Sequence, residues 1–350
     1  MNPAFQDILA AKDEDRRGLF LATATRIGTT VQNIEKDFWV CWTLDALFHR
    51  LKAGGPRLLF KGGTSLSKVY GLISRFSEDI DVTVFREDLG MAVSVEELEG
   101  LSKSKRGRTL DALKAACQRY IQSSLGPELD AWGKGSLESA GRNPAGLQVT
   151  VDDADPDRQS LKIDYPSVVE ASPYYPSSVK IESGAKSALD PHAPQTISPY
   201  LSDDLSDPKA GAVPGVVTID VERTFMDKVL ILHGMPFHFA ATGQLRGDGR
   251  MSRHYYDIHR LMAAPVGAKA CADAALITDC VRHSRMFFHR ANDGLESAAP
   301  GSFRLQPTEE MIAPLARDYA AMSTMIFGDI PDFREVLESV ARAEAILNAT

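Results

Sequence analysis

The segments KGGTSLSK (61–68) and SEDIDVTVF (77–85) decide the fold of this 350-residue chain. The first follows a short apolar run, RLLF (57–60), and continues with helix-like spacing, so the predicted order is strand, glycine turn, helix. The second segment alternates between polar and apolar residues and is rich in β-branched residues, as expected of a strand. Together the two segments predict a strand–turn–helix unit whose next strand begins at a pair of aspartates.

The chemistry of these segments follows from their residue types. Gly62 and Gly63 let the backbone approach a phosphate closely, and the helix start behind them offers free N–H groups. Asp79 and Asp81 are two residues apart on a predicted strand, so both carboxylates project from one face. Mg²⁺, with Mn²⁺ as the alternative ion, favours such carboxylates together with substrate phosphates. Taken separately, the glycine pair is explained by an ordinary tight turn and the aspartate pair by a solvated strand end. Taken together, the two motifs predict a phosphate-and-metal site.

The rest of the chain predicts a mixed α/β or α+β fold. Residues 1–50 have helical spacing and predict a helical pair before the first strand, and a further helix is predicted over 109–125. Three more strands are predicted at 147–153, 160–165 and 178–183. The Pro-, Ser-, Asp- and Gly-rich stretch 184–215 is interpreted as a long loop. It divides a domain of residues 1–215, which carries the predicted phosphate-and-metal site, from a helical domain of residues 216–350.

Composition narrows the class of protein. The chain is 44% apolar and 25% charged, as expected of an ordinary soluble protein, and it has no signal-like or membrane-length apolar run, so we expect a cytoplasmic location without membrane association. Four scattered cysteines indicate core residues rather than disulfides or zinc.

Charge argues against one mode of nucleic-acid binding. The formal charge of −8 argues against a broad surface that coats nucleic acid, but leaves room for a local basic groove. The dense basic run KSKRGR (103–108) is a candidate for nucleic-acid contact, but it lacks interleaved aromatic residues, so a solvated, flexible loop is the favoured interpretation. Arg282, Arg285 and Arg290 form a second, looser basic group.

The pattern resembles the AbiEii/AbiGii toxin family of nucleotidyltransferases. The segments that carry the resemblance are KDFWV (36–40), KGGTSLSK (61–68), RFSEDID (75–81), VKIESGAK (179–186), ERTFMDK (222–228), RHYYDI (253–258), DYAAM (318–322) and MIFG (325–328). They span essentially the whole chain and are more specific than a glycine turn with a DxD pair alone.

The resemblance implies a DNA polymerase β-like nucleotidyltransferase core followed by a helical C-terminal domain. It also implies Mg²⁺, a nucleoside triphosphate substrate and the role of toxin in a bacterial toxin–antitoxin pair, with a cognate antitoxin encoded by a neighbouring gene. The implied acceptor is RNA, in particular the 3′ end of tRNA, whose modification blocks aminoacylation and so inhibits translation and growth.

The resemblance also implies roles for particular residues. The triphosphate would be held by Gly62, Gly63, Thr64 and Ser65, with Ser77 helping to position it. Asp79 and Asp81 would be metal ligands, and Lys228 would be the cation over the phosphates. Asp257 would order Lys228, contact the nucleotide or assist the acceptor hydroxyl, and the sequence leaves these three open. Glu182 is the chosen third acidic ligand, with Asp164 on a similar strand as the alternative.

Two other functions are compatible with the same motifs. The same core would also serve nucleotidyl transfer to a protein or a small molecule, because a fold does not fix the acceptor. A nucleotide-binding regulatory protein without turnover is a third possibility. The presence of Asp79, Asp81 and Lys228 together argues against that third reading.

Overall fold

The computed structural model describes residues 2–170, 176–247 and 249–349, and the chain divides into two compact units. Unit 1 comprises Met1–Val69, Phe76–Val93 and Lys103–Ile219. Unit 2 comprises Tyr70–Arg75, Ser94–Ser102 and Asp220–Thr350. The main segment of unit 2 therefore begins at Asp220, shortly after the predicted boundary at residue 215.

Unit 1 contains helices and a seven-stranded sheet. Its helices are α1 (Pro3–Ala10), α2 (Asp13–Ile27), α3 (Val31–His49), α4 (Gly62–Lys68), α6 (Lys103–Tyr120) and α7 (Gly126–Ser139), the last two joined by a π-helical turn at Ile121–Leu125. Its strands are β1 (Leu58–Lys61), β2 (Ile80–Val84), β3 (Gln148–Val151), β4 (Leu161–Asp164), β5 (Ser178–Gly184), β6 (His192–Ile197) and β7 (Val213–Ile219). The predicted strand, glycine turn and helix are thus confirmed as β1, Gly62–Gly63 and α4.

The sheet is mixed, with the strand order β3-β4-β5-β2-β1-β7-β6. Strands β2 and β5 pair in parallel, as do β1 and β7, while the remaining neighbours are antiparallel. The mixed α/β class is therefore confirmed. This order places β2, which carries Asp81, between β1 and β5 in the middle of the sheet.

Two predictions about secondary structure in unit 1 were wrong. The helical pair before β1 is three helices, because Gly28 takes the left-handed conformation (φ +72°) that ends α2 and Thr30 caps α3. The stretch 184–215 is not a loop: it contains β6 and the start of β7, an antiparallel pair at one edge of the sheet. Pro194 obscured β6, but proline is compatible with an edge strand.

The basic run 103–108 was also interpreted wrongly as a flexible loop. It forms the first turns of α6, whose other face buries Leu113, Ala116 and Cys117. Apolar residues further along the helix therefore order the basic segment.

Unit 2 is helical. It contains α5 (Val95–Glu99), α8 (Val221–Thr242), α9 (Ser252–Met262), α10 (Pro265–Ala272), α11 (Ala274–Phe287), α12 (Glu309–Met322) and α13 (Phe333–Ala349). This confirms the helical C-terminal region. Helices α8 and α9 carry Lys228 and Asp257, and both residues lie on the buried sides of their helices.

Helix α3 is the central helix of unit 1, because 15 of its 19 residues are buried. Trp39 stacks on Tyr165 with ring centroids 4.9 Å apart, and Phe38 packs edge-on against Phe5. A helix that is buried on all sides in this way belongs in a core. Its buried charged residues therefore need partners in the surrounding elements.

Two neighbouring charges on α3 fix the elements that flank the aspartate pair. Asp37 binds Lys68 at the end of α4 (2.5 Å) and accepts a hydrogen bond from the backbone N–H of Tyr200 (2.6 Å). Lys36 pairs with Glu78, the residue just before Asp79. The Lys68 ammonium also lies 3.5 Å from the centre of the Tyr200 ring. Helix α3 thus holds both the glycine helix and the acidic segment.

We expect Lys68→Met to destabilise the protein, because it leaves the buried Asp37 carboxylate without its counter-charge. Breaking a buried pair in this way costs about 3–5 kcal/mol, which urea unfolding would measure. The control is Arg57→Met, which removes the more exposed pair with Asp88 and should cost no more than about 1 kcal/mol. Equal losses in the two variants would contradict a special role for the α3 pair.

Candidate active site

Gly62 forms the turn between β1 and α4 and lies directly against Asp81. Its φ of +80° is in the left-handed region, which favours glycine. A Cβ at this position would lie 1.9 Å from the Asp81 carboxylate oxygen Oδ2. The missing side chain is therefore what allows the Asp81 carboxylate to lie beside the turn.

Hydroxyl groups join the glycine turn to the acidic segment. The Thr64 hydroxyl lies 3.0 Å from the Ser77 hydroxyl and donates to the backbone carbonyl of Asp79 (2.5 Å). The Ser65 hydroxyl donates to the carbonyl of Gly62 (2.8 Å), and the side chains of Thr64 and Ser65 are fully buried. These bonds keep the turn and the aspartate pair in a fixed relation.

The strand register brings Asp81 and Glu182 together. Asp81 on β2 pairs with Lys61 on β1 and with Glu182 on β5, so the three side chains form one row across the sheet. Residues in register on neighbouring strands project from the same face. Asp164 pairs with Ser178, four residues before Glu182, which is about 13 Å along the strand.

The two carboxylates of this row have lysine neighbours. The Lys180 ammonium is 2.9 Å from Glu182 Oε1 and 3.3 Å from Asp152 Oδ2, and the Lys61 ammonium is 4.0 Å from Asp81 Oδ1. Over the residues that the structure describes, no three His, Cys, Asp or Glu side chains converge as a group that could hold a metal ion. The carboxylate donors suit Mg²⁺, which needs only one or two of them beside substrate phosphates.

A second cluster lies within unit 2 and is centred on Asp257. The Arg75 guanidinium donates to both oxygens of Asp257 at 2.8 Å, and the Lys228 ammonium lies 2.7 Å from Oδ2. The Asp257 side chain is fully buried, and those of its two cations are more than nine-tenths buried. One carboxylate is thus shared between two buried cations.

Electrostatics within this cluster keep the carboxylate ionised. Burial favours the neutral acid, but Arg75 and Lys228 outweigh it and hold the pKa of Asp257 well below its usual range. Burial lowers the pKa of Lys228, and Asp257 opposes that effect. The pKa of His254 is also lowered, by burial and by Lys228, so its ring adds no charge at neutral pH. Lys228 is therefore a cation held in place by one carboxylate.

Sequence reasoning assigned no role to several residues that organise these clusters. Arg75 belongs to the RFSEDID segment, yet only its partner Asp257 was singled out. Asp37 and Lys68 were quoted as parts of motifs without the ion pair that joins them. The available signal was the presence of charged residues within otherwise apolar helix faces, since such residues need partners when buried.

Two residues of the looser basic group make contacts within unit 2. Arg282 pairs with Glu96 and Glu99, and Arg285 donates to three backbone carbonyls, Leu295, Glu296 and Ala298. Both residues therefore have structural partners within their own unit. In the described part of the chain, no helix is both long and apolar enough to span a membrane.

Comparison with known proteins places the chain in a class. The family model described as nucleotidyl transferase AbiEii toxin, type IV toxin–antitoxin system, matches residues 45–339. Among solved structures, the chain is similar to MenT4, a nucleotidyltransferase toxin from Mycobacterium tuberculosis H37Rv. The two share 17% identity with a TM-score of 0.42, over 95% of this chain and 98% of that one. A search of curated proteins finds no match.

The family model defines the class of protein as a nucleotidyltransferase. The chain belongs to the AbiEii family of nucleotidyltransferase toxins of type IV toxin–antitoxin systems, because the family model covers most of its length. Membership implies a nucleoside triphosphate substrate and an antitoxin partner. Enzymes of this class generally use divalent metal ions.

We expect Gly62→Ala to abolish nucleotidyl transfer, because its Cβ would displace the Asp81 carboxylate. The matched control is Gly54→Ala, whose φ of +87° imposes a similar backbone strain but whose Cβ would meet nothing within 4 Å. The control should lose about 1 kcal/mol of stability and keep its activity. Transfer rates and urea unfolding of both variants measure the difference. Full activity of Gly62→Ala would refute the steric argument.

Asp257→Asn should leave Arg75 and Lys228 buried without their counter-charge and cost about 3 kcal/mol of stability at pH 7. The pKa of Lys228 would then fall further below that of unfolded lysine, near 10.4. The unfolded chain would bind more protons, so the loss relative to the unsubstituted protein should shrink as the pH rises toward 10.

Urea unfolding at pH 7 and pH 10 measures this effect of Asp257→Asn. The control is Asp329→Asn, at an exposed position, which should lose little at either pH. A loss in Asp257→Asn that is independent of pH would contradict the electrostatic explanation.

Proposed function

We propose that this toxin transfers a nucleoside monophosphate from a nucleoside triphosphate to an RNA acceptor, specifically the 3′ end of tRNA, and thereby inhibits translation and growth. The observation that carries the catalytic part of the proposal is the arrangement of Gly62, Asp81 and Glu182. A bare glycine turn lies against one strand carboxylate, and a second carboxylate lies in the same row.

The proposed metal ligands are Asp79, Asp81 and Glu182, and the proposed ion is Mg²⁺, with Mn²⁺ as the alternative. Glu182 is preferred to Asp164 because it is in register with Asp81. When bound, the ion would lower the pKa of the attacking hydroxyl and stabilise charge on the departing pyrophosphate. Lys180 would have to release Glu182 before that carboxylate could serve as a ligand.

The proposed triphosphate-binding residues are Gly62, Gly63, Thr64, Ser65 and Ser77. Because the hydroxyls of Thr64 and Ser65 already bind backbone carbonyls, their main contribution would come from backbone N–H groups. Ser77 would position the triphosphate from the acidic segment. Lys228 is the proposed cation for the phosphates, with Asp257 as the residue that orders it, on the strength of the family pattern and their buried ion pair.

The experiment that tests the proposal incubates the purified toxin with each of the four labelled nucleoside triphosphates, Mg²⁺ and total tRNA. Label is then followed into RNA, protein and small-molecule fractions. We expect transfer to the tRNA fraction. If label appeared only in the protein or small-molecule fraction, the acceptor would be a protein or a small molecule and not RNA. If no nucleotide were transferred, the result would count against catalytic turnover.

Glu182→Gln and Asp164→Asn form a matched pair for the metal assignment in the same assay. Both carboxylates are similarly exposed, and each has a lysine partner at 2.9 Å. Loss of a metal ligand removes several kcal/mol of transition-state stabilisation, so Glu182→Gln should slow transfer about 100-fold or more. Asp164→Asn should stay close to the unsubstituted rate. The reverse result would assign the ligand role to Asp164.

A further inference from the structure

Helix α6 carries a charge that is opposite to that of the rest of the chain. Its 18 residues include six lysines and arginines and one aspartate, a net charge of +5. The whole chain carries −8, so the remaining residues sum to −13. A local excess of this size is the electrostatic feature expected where an anionic partner binds.

The cations of α6 form an ordered surface. Lys105, Arg108, Ala112, Ala115 and Arg119 are spaced three and four residues apart, so they line one side of the helix over about 21 Å. We call these five residues the basic ridge. Ala115 is half-exposed and the other four are exposed, and the two alanines leave room for a partner to approach the helix closely.

Helix stability does not account for these cations. Lys103 and Lys105 lie in the first turn, at the positive end of the helix dipole, and the first turn itself contains no acidic residue. Lys105 and Arg108 are three residues apart, as are Lys103 and Arg106, and like charges at this spacing repel. Arg108 makes no ion pair with any described residue. Interactions within the first turns of α6 therefore do not account for these cations, which points to a role in binding.

We propose that the basic ridge binds the phosphate backbone of the RNA acceptor, an inference that rests on the proposed function. Protein partners are usually anchored by aromatic and apolar side chains at the centre of an interface, and the ridge offers only two alanine methyls. Lysines and arginines along one line suit a partner whose negative charges repeat along a backbone. The ridge has no aromatic or amide side chain that could stack on or recognise bases, so its contacts serve affinity and orientation.

The test compares the unsubstituted toxin with the variant Lys105→Glu/Arg108→Glu/Arg119→Glu. Binding of labelled tRNA is measured by fluorescence anisotropy between 50 and 400 mM salt without nucleoside triphosphate. We expect Kd at 50 mM salt to rise at least about tenfold, and the slope of log K against log salt to become shallower by about 2–3. The milder variant with glutamine at the three positions should change both quantities in the same direction.

The matched control is Lys12→Glu/Lys52→Glu/Lys209→Glu. It changes the net charge equally at three exposed lysines of unit 1 that lie outside the ridge, and should leave tRNA binding close to that of the unsubstituted toxin. Thermal unfolding should show that the ridge variants remain folded, with changes in stability no larger than those usual for surface substitutions. If the control lost as much tRNA binding as the ridge variant, the change in net charge alone would explain the loss. That result would overturn the inference.

Two further outcomes separate this inference from the proposed function. If the toxin labels tRNA but the ridge variant binds tRNA normally, the ridge assignment is wrong and the function stands. If the toxin neither binds nor labels tRNA, the acceptor assignment fails, and the ridge inference fails with it. If the ridge variant loses binding only to the purified antitoxin, the surface belongs to a protein partner.

Discussion

The contact between Gly62 and Asp81 is the constraint on which the site in unit 1 depends. A strand must turn into a helix at the point where the neighbouring strand presents a carboxylate. Any side chain at Gly62 would occupy the position of that carboxylate. Gly62 therefore meets two requirements at once. The turn requires its positive φ, and the neighbouring strand β2 requires that it has no Cβ. The hydroxyl of Thr64 then fixes the turn to the segment that carries Asp79.

Charged residues on α3 hold the glycine turn and the acidic segment in place. Burying a charge is unfavourable unless it is paired, and removing one partner of a buried pair is more damaging than the pair is stabilising. Asp37 and Lys36 thus act as specific anchors: one holds the end of α4 and the other holds Glu78. The apolar residues of α3 supply the burial, and the charges select which neighbouring segments occupy the positions around it.

The sequence was sufficient for the elements whose patterns are local. The glycine turn, β2 with Asp81 and the helices of unit 2 follow from spacing and residue type, and the structure contains them. Strand β2 begins at Ile80, so Asp79 lies just before the strand and not on it as predicted. Strands β6 and β7 were missed because Pro, Gly, Ser and Asp dominate their surroundings, while their pairing is decided by contacts distant in the chain. The register that aligns Glu182 with Asp81 is also non-local, so the sequence left Asp164 open. Arg75 could not be matched to Asp257 for the same reason, since 182 positions separate them.

Net charge alone is a poor guide to what this protein binds. The value of −8 is the sum of +5 on α6 and −13 on the remaining residues. Electrostatic attraction between exposed charges and phosphates falls off within about 10 Å at moderate salt. A partner at the basic ridge would therefore respond mainly to the cations beside it, and more distant acidic groups would be largely screened. An RNA acceptor bound in this way would also be released readily, because contacts with its phosphates depend on salt and carry no sequence information.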